Sequence, residues 1–345
     1  MTYAAITGWG IAVPDAIVTS DELERRVGLE SGWVEQRSGI VQRRVASQGE
    51  TTSTLAAEAG RRGVARAGLG PDDLDLIVVA TCTPDHLVPG TAPMVQAALG
   101  ASRAGAFDVN AACAGFLTAL AAADGLVRAG AIRRALVIGA EVLSRFIDPA
   151  EPKTFVLFGD GAGAVVLEGS EEQAGLLSVE LGADGSGVEH LKVPAGGSAH
   201  PASAETVAAR EHTVRMNGPE VYRAAVRIMV GAAEDAIASA RCSLADVDLL
   251  ILHQANQRII TEVGARLGVP EERVFSNVAC YGNTSAASVP IALAEAADEG
   301  LLEPGSLVAL SVVGAGFTWA AGVLRWTAVT SPLEQSILVE EGVLA

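Results

Sequence analysis

Apolar runs of strand length recur along the chain, separated by segments whose apolar residues repeat at helical spacing. Residues 73–83 (DLDLIVVATCT), 133–142 (RRALVIGAEV) and 246–252 are nearly unbroken apolar runs, the pattern of strands buried on both faces. Residues 3–13 read as a strand ended by Pro14, and 105–109 as another. Ser20 or Asp21 caps a short predicted helix reaching Val27, and an alanine-rich helix is predicted over 51–67, before Gly68. Further helices are expected over 91–100, 217–241 and 256–267. The stretch 107–130 opens as a strand, passes through a turn of tiny residues around Cys113, and continues as a helix with Phe116, Leu117, Leu120, Leu126 and Val127 on one face. Residues 275–300 repeat that plan: strand, small polar turn, helix. Residues 155–169 read as two β segments around Gly159, Gly161 and Gly163, and the chain then finishes with two strands around Gly314 and Gly316.

A duplication underlies this order. In the first half, DDLDLIVVATC leads to a strand, the tight turn with Cys113, a helix, and RRALVIGAE. In the second, ADVDLLILHQA leads to a strand, a tight turn with Asn283, a helix, and SLVALSVVGAG. Two βα units of one design suggest an α/β fold of stacked sheets and helices, the halves meeting through a shared layer. The expected division is 1–170 and 171–327, with 328–345 left over as a tail of unknown role. Corresponding turns then converge near a pseudo-twofold axis, which brings Cys113, His253 and Asn283, all at strand ends, toward one pocket.

Composition narrows the function classes. The chain has 345 residues, a net charge of −17, and only two lysines, Lys153 and Lys192, among 24 basic residues. That balance argues against generic nucleic-acid binding, which needs a basic footprint. No apolar run reaches the length of a membrane span, and the N-terminus lacks the basic and apolar regions of a signal peptide, so a cytoplasmic protein is expected. Cys82, Cys113, Cys242 and Cys280 lie far apart without C-x-x-C spacing, which indicates neither a metal site nor a disulfide framework. His190, His200 and His212 lack metal-ligand spacing and read as surface residues. The glycines at 159–163 do not open a helix as a dinucleotide fingerprint requires.

The candidate chemistry centres on Cys113. Its neighbours Ala111, Ala112, Ala114 and Gly115 leave room for a bulky carbonyl, and a helix N-terminus there would favour a thiolate. A small buried cysteine filling a tight corner fits the stretch alone equally well. Trp33, Arg37, Arg43 and Arg44 crowd one polar stretch, a pattern suited either to plain solvation or to stacking on a planar group and holding phosphates.

Five motifs in order, WVEQRSGI at 33–40, DVNAACAGF at 108–116, FGDGAGAVVL at 158–167, HQANQRI at 253–259 and GNTSAAS at 282–288, make the chain similar to the β-ketoacyl-acyl carrier protein synthase III family over about residues 3–326. The resemblance implies a thiolase-like fold with a layered α-β-α-β-α core, working as a homodimer. It implies a condensing enzyme of fatty-acid or polyketide initiation, with Cys113 as nucleophile and His253 and Asn283 completing a triad. Backbone N–H groups of Cys113 and Gly316 form the implied oxyanion hole. Trp33, Arg37, Asn256, Arg258 and Phe317 are the implied contacts to substrate and CoA, and Val88 the implied wall of the acyl pocket. Arg223, Arg258 and Arg266 are the implied docking surface for an acyl carrier protein. Acyl-CoA and carrier-bound malonyl enter as substrates, with no cofactor and no metal. Two positions depart from the family pattern: Pro152, beside Lys153, stands where an arginine is common, and Pro219 where an asparagine often lines the tunnel. A starter-loading acyltransferase on the same fold, a non-catalytic chain-length-factor-like subunit and an NAD oxidoreductase are the rival readings. Asn283 argues against the first and the intact triad against the second, while the third rests only on the glycines at 159–163.

Overall fold

A computed structural model describes residues 2–328, so the expected tail lies, apart from Ala328, outside the described residues. Ten strands form two five-stranded sheets. They are β1 (Tyr3–Ala12), β2 (Leu76–Ala80), β3 (Gly105–Val109), β4 (Arg134–Val142), β5 (Asp160–Ser170), β6 (Gly175–Ala183), β7 (Leu249–Leu252), β8 (Val274–Phe275), β9 (Leu307–Gly314) and β10 (Thr318–Arg325). The first sheet runs β1-β5-β4-β2-β3, and the second, from its matching edge, β6-β10-β9-β7-β8. Directions match as well. In each sheet the two pairings nearest the first strand are antiparallel and the other two are parallel.

Six principal helices complete the layers: α1 (Thr52–Arg66), α2 (Thr91–Leu99), α3 (Gly115–Arg128), α4 (Gly218–Ser239), α5 (Gln257–Leu267) and α6 (Ser288–Asp298). Helices α3 and α6 lie between the sheets. Phe116, Leu117 and Leu120 of α3 and Val289, Ala292 and Leu293 of α6 share one core with Val78 and Val137 of the first sheet and Ile251 and Leu310 of the second. Helices α1 and α2 cover the outer face of the first sheet, and α4 and α5 that of the second. The five layers α-β-α-β-α explain the unbroken apolar strands, since both faces of each sheet are buried.

Some elements differ from expectation. The short helix Ser20–Val27 is capped by Thr19, whose side chain accepts the Glu22 N–H, rather than by Ser20 or Asp21. Residues 155–169 hold one strand, β5, preceded by a short helix, Pro152–Phe155, instead of two β segments. The glycines there serve close approach. A Cβ at Gly163 would lie 2.6 Å from the Ile291 nitrogen of α6, and one at Gly159 would run into the Tyr281 carbonyl.

The halves are joined by crossed turns. The turn Ala112–Ala114, before α3, packs on β9 of the other half, and the turn Ser285–Ala287, before α6, packs on β4. Each seat is a glycine. A Cβ at Gly314 would stand 2.7 Å from the Cys113 nitrogen, and one at Gly139 would run into the Ala286 carbonyl. Alanine at Gly314 should therefore cost about 1–3 kcal/mol, the usual range for overpacking, and displace Cys113. Denaturant unfolding and the acylation rate of Cys113 measure both; wild-type values for the pair would show that the seat tolerates a methyl group.

Candidate active site

A cavity of about 590 Å³ opens from the crossed turns to the surface. Cys113, His253 and Asn283 line it together, the first two on loops that follow strands and Asn283 after a short helix, Val278–Tyr281, that the sequence pattern of 275–300 did not predict. Trp33, Arg37, Asn256, Arg258, Arg223 and Phe317 line it too.

The two small turns are built alike. Asn110 Oδ1 accepts the Ala112 N–H at 3.2 Å, and Asn283 Oδ1 accepts the Ser285 N–H at 2.8 Å. Ala112 and Ser285 both hold left-handed backbone, with φ of 47° and 49°. Asn283 thus corresponds to Asn110, and Cys113 to Ala286; the sequence comparison had set Cys113 against Asn283. The repeated spacing N-x-[AS], at 110–112 and 283–285, is the signal that aligns them.

The hydrogen bonds fix which atoms face the cavity. With Oδ1 of Asn283 held by Ser285, its Nδ2 amide is the group left to donate. The Asn283 backbone is locked as well, its N–H bonding the Leu157 carbonyl at 2.9 Å and its carbonyl accepting the Gly159 N–H at 3.0 Å. His253 is buried, at 4% exposure, and its Nδ1 lies 2.7 Å from Ser288 Oγ. That oxygen also accepts the Gln254 N–H at 3.4 Å; in the tautomer where its own hydrogen goes to Nδ1, the imidazole proton sits on Nε2. Burial pushes the His253 pKa down to about 4, which keeps the ring neutral. The site therefore offers two neutral N–H donors.

Cys113 does not sit at an α-helix N-terminus but inside the 3₁₀ turn that precedes α3. Burial pushes its thiol up to about 11; the Ser285 hydroxyl opposes this, while the Glu141 charge adds to it. A thiolate favoured by a helix terminus, as the sequence suggested, is not what this environment produces, because desolvation outweighs the local N–H groups.

At the mouth, Trp33 begins the short helix Trp33–Ser38, whose N-terminus is held by buried Glu24 accepting the Gly32 and Val34 N–H groups at 2.8 and 2.7 Å. The Arg37 guanidinium lies 4.5 Å from the Trp33 ring centre. Asn256 caps α5, accepting the Arg258 N–H at 2.8 Å and donating to the Arg37 carbonyl at 3.1 Å. Phe317 is clamped by reciprocal backbone bonds with Asp184, and His190 stacks on it at 6.1 Å, so that histidine is not a free surface residue. Lys153 and Pro219 also line the cavity.

Five residues fall elsewhere. Gly316 lies in the turn beside Phe317, with φ of 138°, outside the cavity lining. Arg266 stands two turns along α5 from Arg258, is paired with Glu262, and does not reach the cavity. Val88 is 87% exposed and lines no part of this chain's own cavity. Arg43 is buried away from the mouth, donating to the carbonyls of Val18 and Val156, and Arg44 donates to those of Pro14 and Asp15. Both structural arginines leave Arg37 as the cation that accompanies Trp33. Sequence reasoning missed Ser288, Glu24 and a buried cluster of Glu141, Cys82 and Ser285.

Among the described residues no group of three or more His, Cys, Asp or Glu side chains is arranged to hold a metal ion. No helix among them is long and apolar enough to cross a membrane.

Models of 3-oxoacyl-[acyl-carrier-protein (ACP)] synthase III match residues 107–185, and of its C-terminal part residues 237–326. A β-ketoacyl-[acyl-carrier-protein] synthase III of Roseiflexus castenholzii is 49% identical, covering 94% of this chain and 99% of its own. One from Symbiobacterium thermophilum is also 49% identical, over 93% and 97%. Among solved structures, the 3-oxoacyl-[acyl-carrier-protein] synthase III of Aquifex aeolicus superposes with a TM-score of 0.86 at 41% identity, covering 94% of this chain and 100% of that one. The priming β-ketosynthase of the R1128 polyketide pathway does so with a TM-score of 0.88 at 34% identity, over 94% and 96%.

Because His253 is held neutral, its ring should show no titration between about pH 5 and 8 in NMR spectra. A midpoint near the ordinary value of about 6.5 would contradict the buried Nε2–H form. Since the folded pKa is the lower one, the His253 contribution to stability is intact above about 6.5 and is lost as pH falls toward about 4.

Proposed function

The chain belongs to the 3-oxoacyl-[acyl-carrier-protein] synthase III family, and from that premise we propose how its own residues divide the work. The enzyme performs the decarboxylative condensation that initiates fatty-acid or polyketide synthesis, joining an acyl starter to a malonyl group carried by acyl carrier protein. The convergence of Cys113, His253 and Asn283 on one cavity carries the assignment of roles.

Cys113 attacks the starter thioester, the donor thiol departs, and an acyl-enzyme remains. The Cys113 backbone N–H, which lies on the cavity as Gly316 does not, stabilises the tetrahedral oxyanion. Malonyl thioester then enters and loses CO₂, and the electron pair of the broken C–C bond becomes an enolate. The donors His253 Nε2–H and Asn283 Nδ2–H hold that enolate oxygen, and their neutrality is the useful property. A carboxylate in place of Asn283 would repel the developing charge. The enolate carbon attacks the acyl group and expels the Cys113 sulfur. The paired donors also favour condensation over simple starter loading, which forms no enolate.

The mouth suits a phosphorylated, pantetheine-bearing substrate. Arg37, Lys153, Arg223 and Arg258 stand around it on a chain whose net charge is −17. An acidic carrier is repelled at long range and held by this local cluster at short range. Arg223 is engaged with Glu220 in the free protein, so docking requires exchange of that partner. Arg266 takes no part in this rim. A homodimer accounts for the loop at Leu87 and Val88, an apolar pair 84% and 87% exposed. A second copy would cover it and receive Val88 at the far end of its acyl pocket.

Replacing Asn283 by Ala should separate the half-reactions. Acylation of Cys113 should persist, while condensation falls by about two to three powers of ten, the loss typical of one oxyanion donor. Intact-protein mass after acyl-CoA treatment follows the first, and malonyl-carrier consumption the second; equal losses would make Asn283 a turn residue only. Reversing Arg258 to Glu should raise KM for malonyl-carrier, and Arg266→Glu should leave it unchanged. The opposite order would move the docking surface along α5.

A further inference from the structure

Two donors can share one enolate oxygen only if the distance between them is fixed, and His253 and Asn283 reach the cavity from different elements. His253 follows β7, and its backbone N–H bonds the Ser311 carbonyl of β9 at 3.1 Å. Asn283 comes after β8 and the short helix Val278–Tyr281. Backbone pairing between β7 and β8 covers only Leu250 with Val274 and Ile251 with Phe275. Past that point a side chain takes over the connection.

That side chain is Gln254, the second residue of the HQANQRI motif, which is 1% exposed. Its Nε2 donates to the Leu252 carbonyl at 2.7 Å and the Phe275 carbonyl at 3.3 Å, and its Oε1 accepts the Asn277 N–H at 3.0 Å. Two carbonyls on one side and an N–H on the other fix the orientation of the amide. Asn277 passes the connection on. Its Nδ2 donates to Glu295 Oε2 at 2.6 Å, and Glu295 Oε1 accepts the Tyr281 hydroxyl. One carboxylate thus spans the helix Val278–Tyr281, from the residue that caps it to its last, just before Gly282 and Asn283. Glu295 lies on α6 about two helical turns after Ser288, so the two side chains leave the same helix face. Ser288 holds the His253 ring at Nδ1, and Glu295 holds the helix that delivers Asn283. Both donors are referred to a single face of α6. A bonded polar network fixes such a geometry more narrowly than apolar packing does.

We propose that Gln254 and Glu295 are positioning residues for condensation, which act through Asn277 and Tyr281 to fix the separation of the His253 Nε2–H and Asn283 Nδ2–H donors. The inference rests on the enolate-holding role given to that pair above. None of the four residues of this frame lines the cavity, so none touches substrate. Their effect belongs to the second half-reaction. Acylation of Cys113 uses the cysteine's own backbone N–H and needs no paired donors, so a slackened frame leaves it alone.

The test measures two rates in Gln254→Met, Glu295→Met and Glu295→Gln. One is single-turnover acylation of Cys113 by an acyl-CoA, followed by intact-protein mass; the other is condensation of acylated enzyme with malonyl-carrier. Methionine keeps the length of either side chain and removes its strong hydrogen bonds. Both methionine variants should lose about 10- to 10²-fold in condensation kcat, the scale of a misplacement of about 1 Å. KM for malonyl-carrier and the acylation rate should stay unchanged. Glu295→Gln should recover most of the loss, because its amide can accept from Asn277 and donate to the Tyr281 oxygen. On an Asn283→Ala background the Gln254→Met loss should largely vanish, since a lone donor has no separation to keep. A wild-type condensation rate in either methionine variant, an equal loss in acylation, a change in KM alone, or losses that multiply in full with Asn283→Ala would overturn the frame. Should Gln254→Met fail to fold, Glu295→Met and its recovery in Glu295→Gln decide the matter. Normal condensation in Asn283→Ala by itself would instead defeat the donor pair on which the frame rests.

Discussion

Two turns of tiny residues, each seated on a glycine of the opposite half, are the constraint from which the site follows. A thiol on the turn before α3 could face either sheet of the molecule. Because the turn crosses to β9, it faces the second half, where His253 and Asn283 line the same cavity. The crossing tolerates no side chain at Gly314 or Gly139. It also requires left-handed backbone at Ala112 and Ser285, a conformation that costs about 1–3 kcal/mol in a non-glycine residue. Asparagine side chains bonding two residues ahead, at 110 and 283, hold that backbone in place.

Charge is distributed in the opposite sense to depth. At the bottom of the cavity every donor is neutral: backbone N–H, amide and unprotonated imidazole. At the rim the groups are cationic, and they are paired or stacked in the free protein, Arg223 with Glu220 and Arg37 on Trp33. The interior can therefore stabilise an oxyanion without holding a permanent charge that would bind product anions, while the rim provides attraction without desolvation cost. The interior arginine, Arg43, is set apart from the cavity, with burial lowering its pKa to about 10, three oxygens accepting from its guanidinium and its Nε left without a partner.

Much of this was legible in the chain because strands buried on both faces write themselves as unbroken apolar runs. The runs at 73–83, 133–142 and 246–252 each contain a strand, and their repetition told the topology. His253 stood out because it ends such a run, and Cys113 and Asn283 because each sits in a turn of small residues before a helix. Glu141 stood in the same kind of place, at the end of VIGAEV, and was passed over, since one acidic residue near a loop ordinarily faces solvent. Nothing local distinguishes Arg37 from Arg43 either: one side chain lies on Trp33 and the other enters the core, and only the packing of 156–159 against residues 40–43 decides it.

The matched turns set a cavity against a packed cluster. Position for position, Ala80 answers to His253, Asn110 to Asn283, Ala286 to Cys113 and Glu141 to Gly314, so the first half repeats the frame of the site about the pseudo-twofold axis. At those places it carries neither a thiol nor an imidazole. The ground that answers to the cavity is occupied by a carboxylate and the five groups bonded to it. One half of the repeat is thus hollow and the other filled, back to back across two turns. The buried polar cluster beside Cys113 is the solid counterpart of the cavity in front of it.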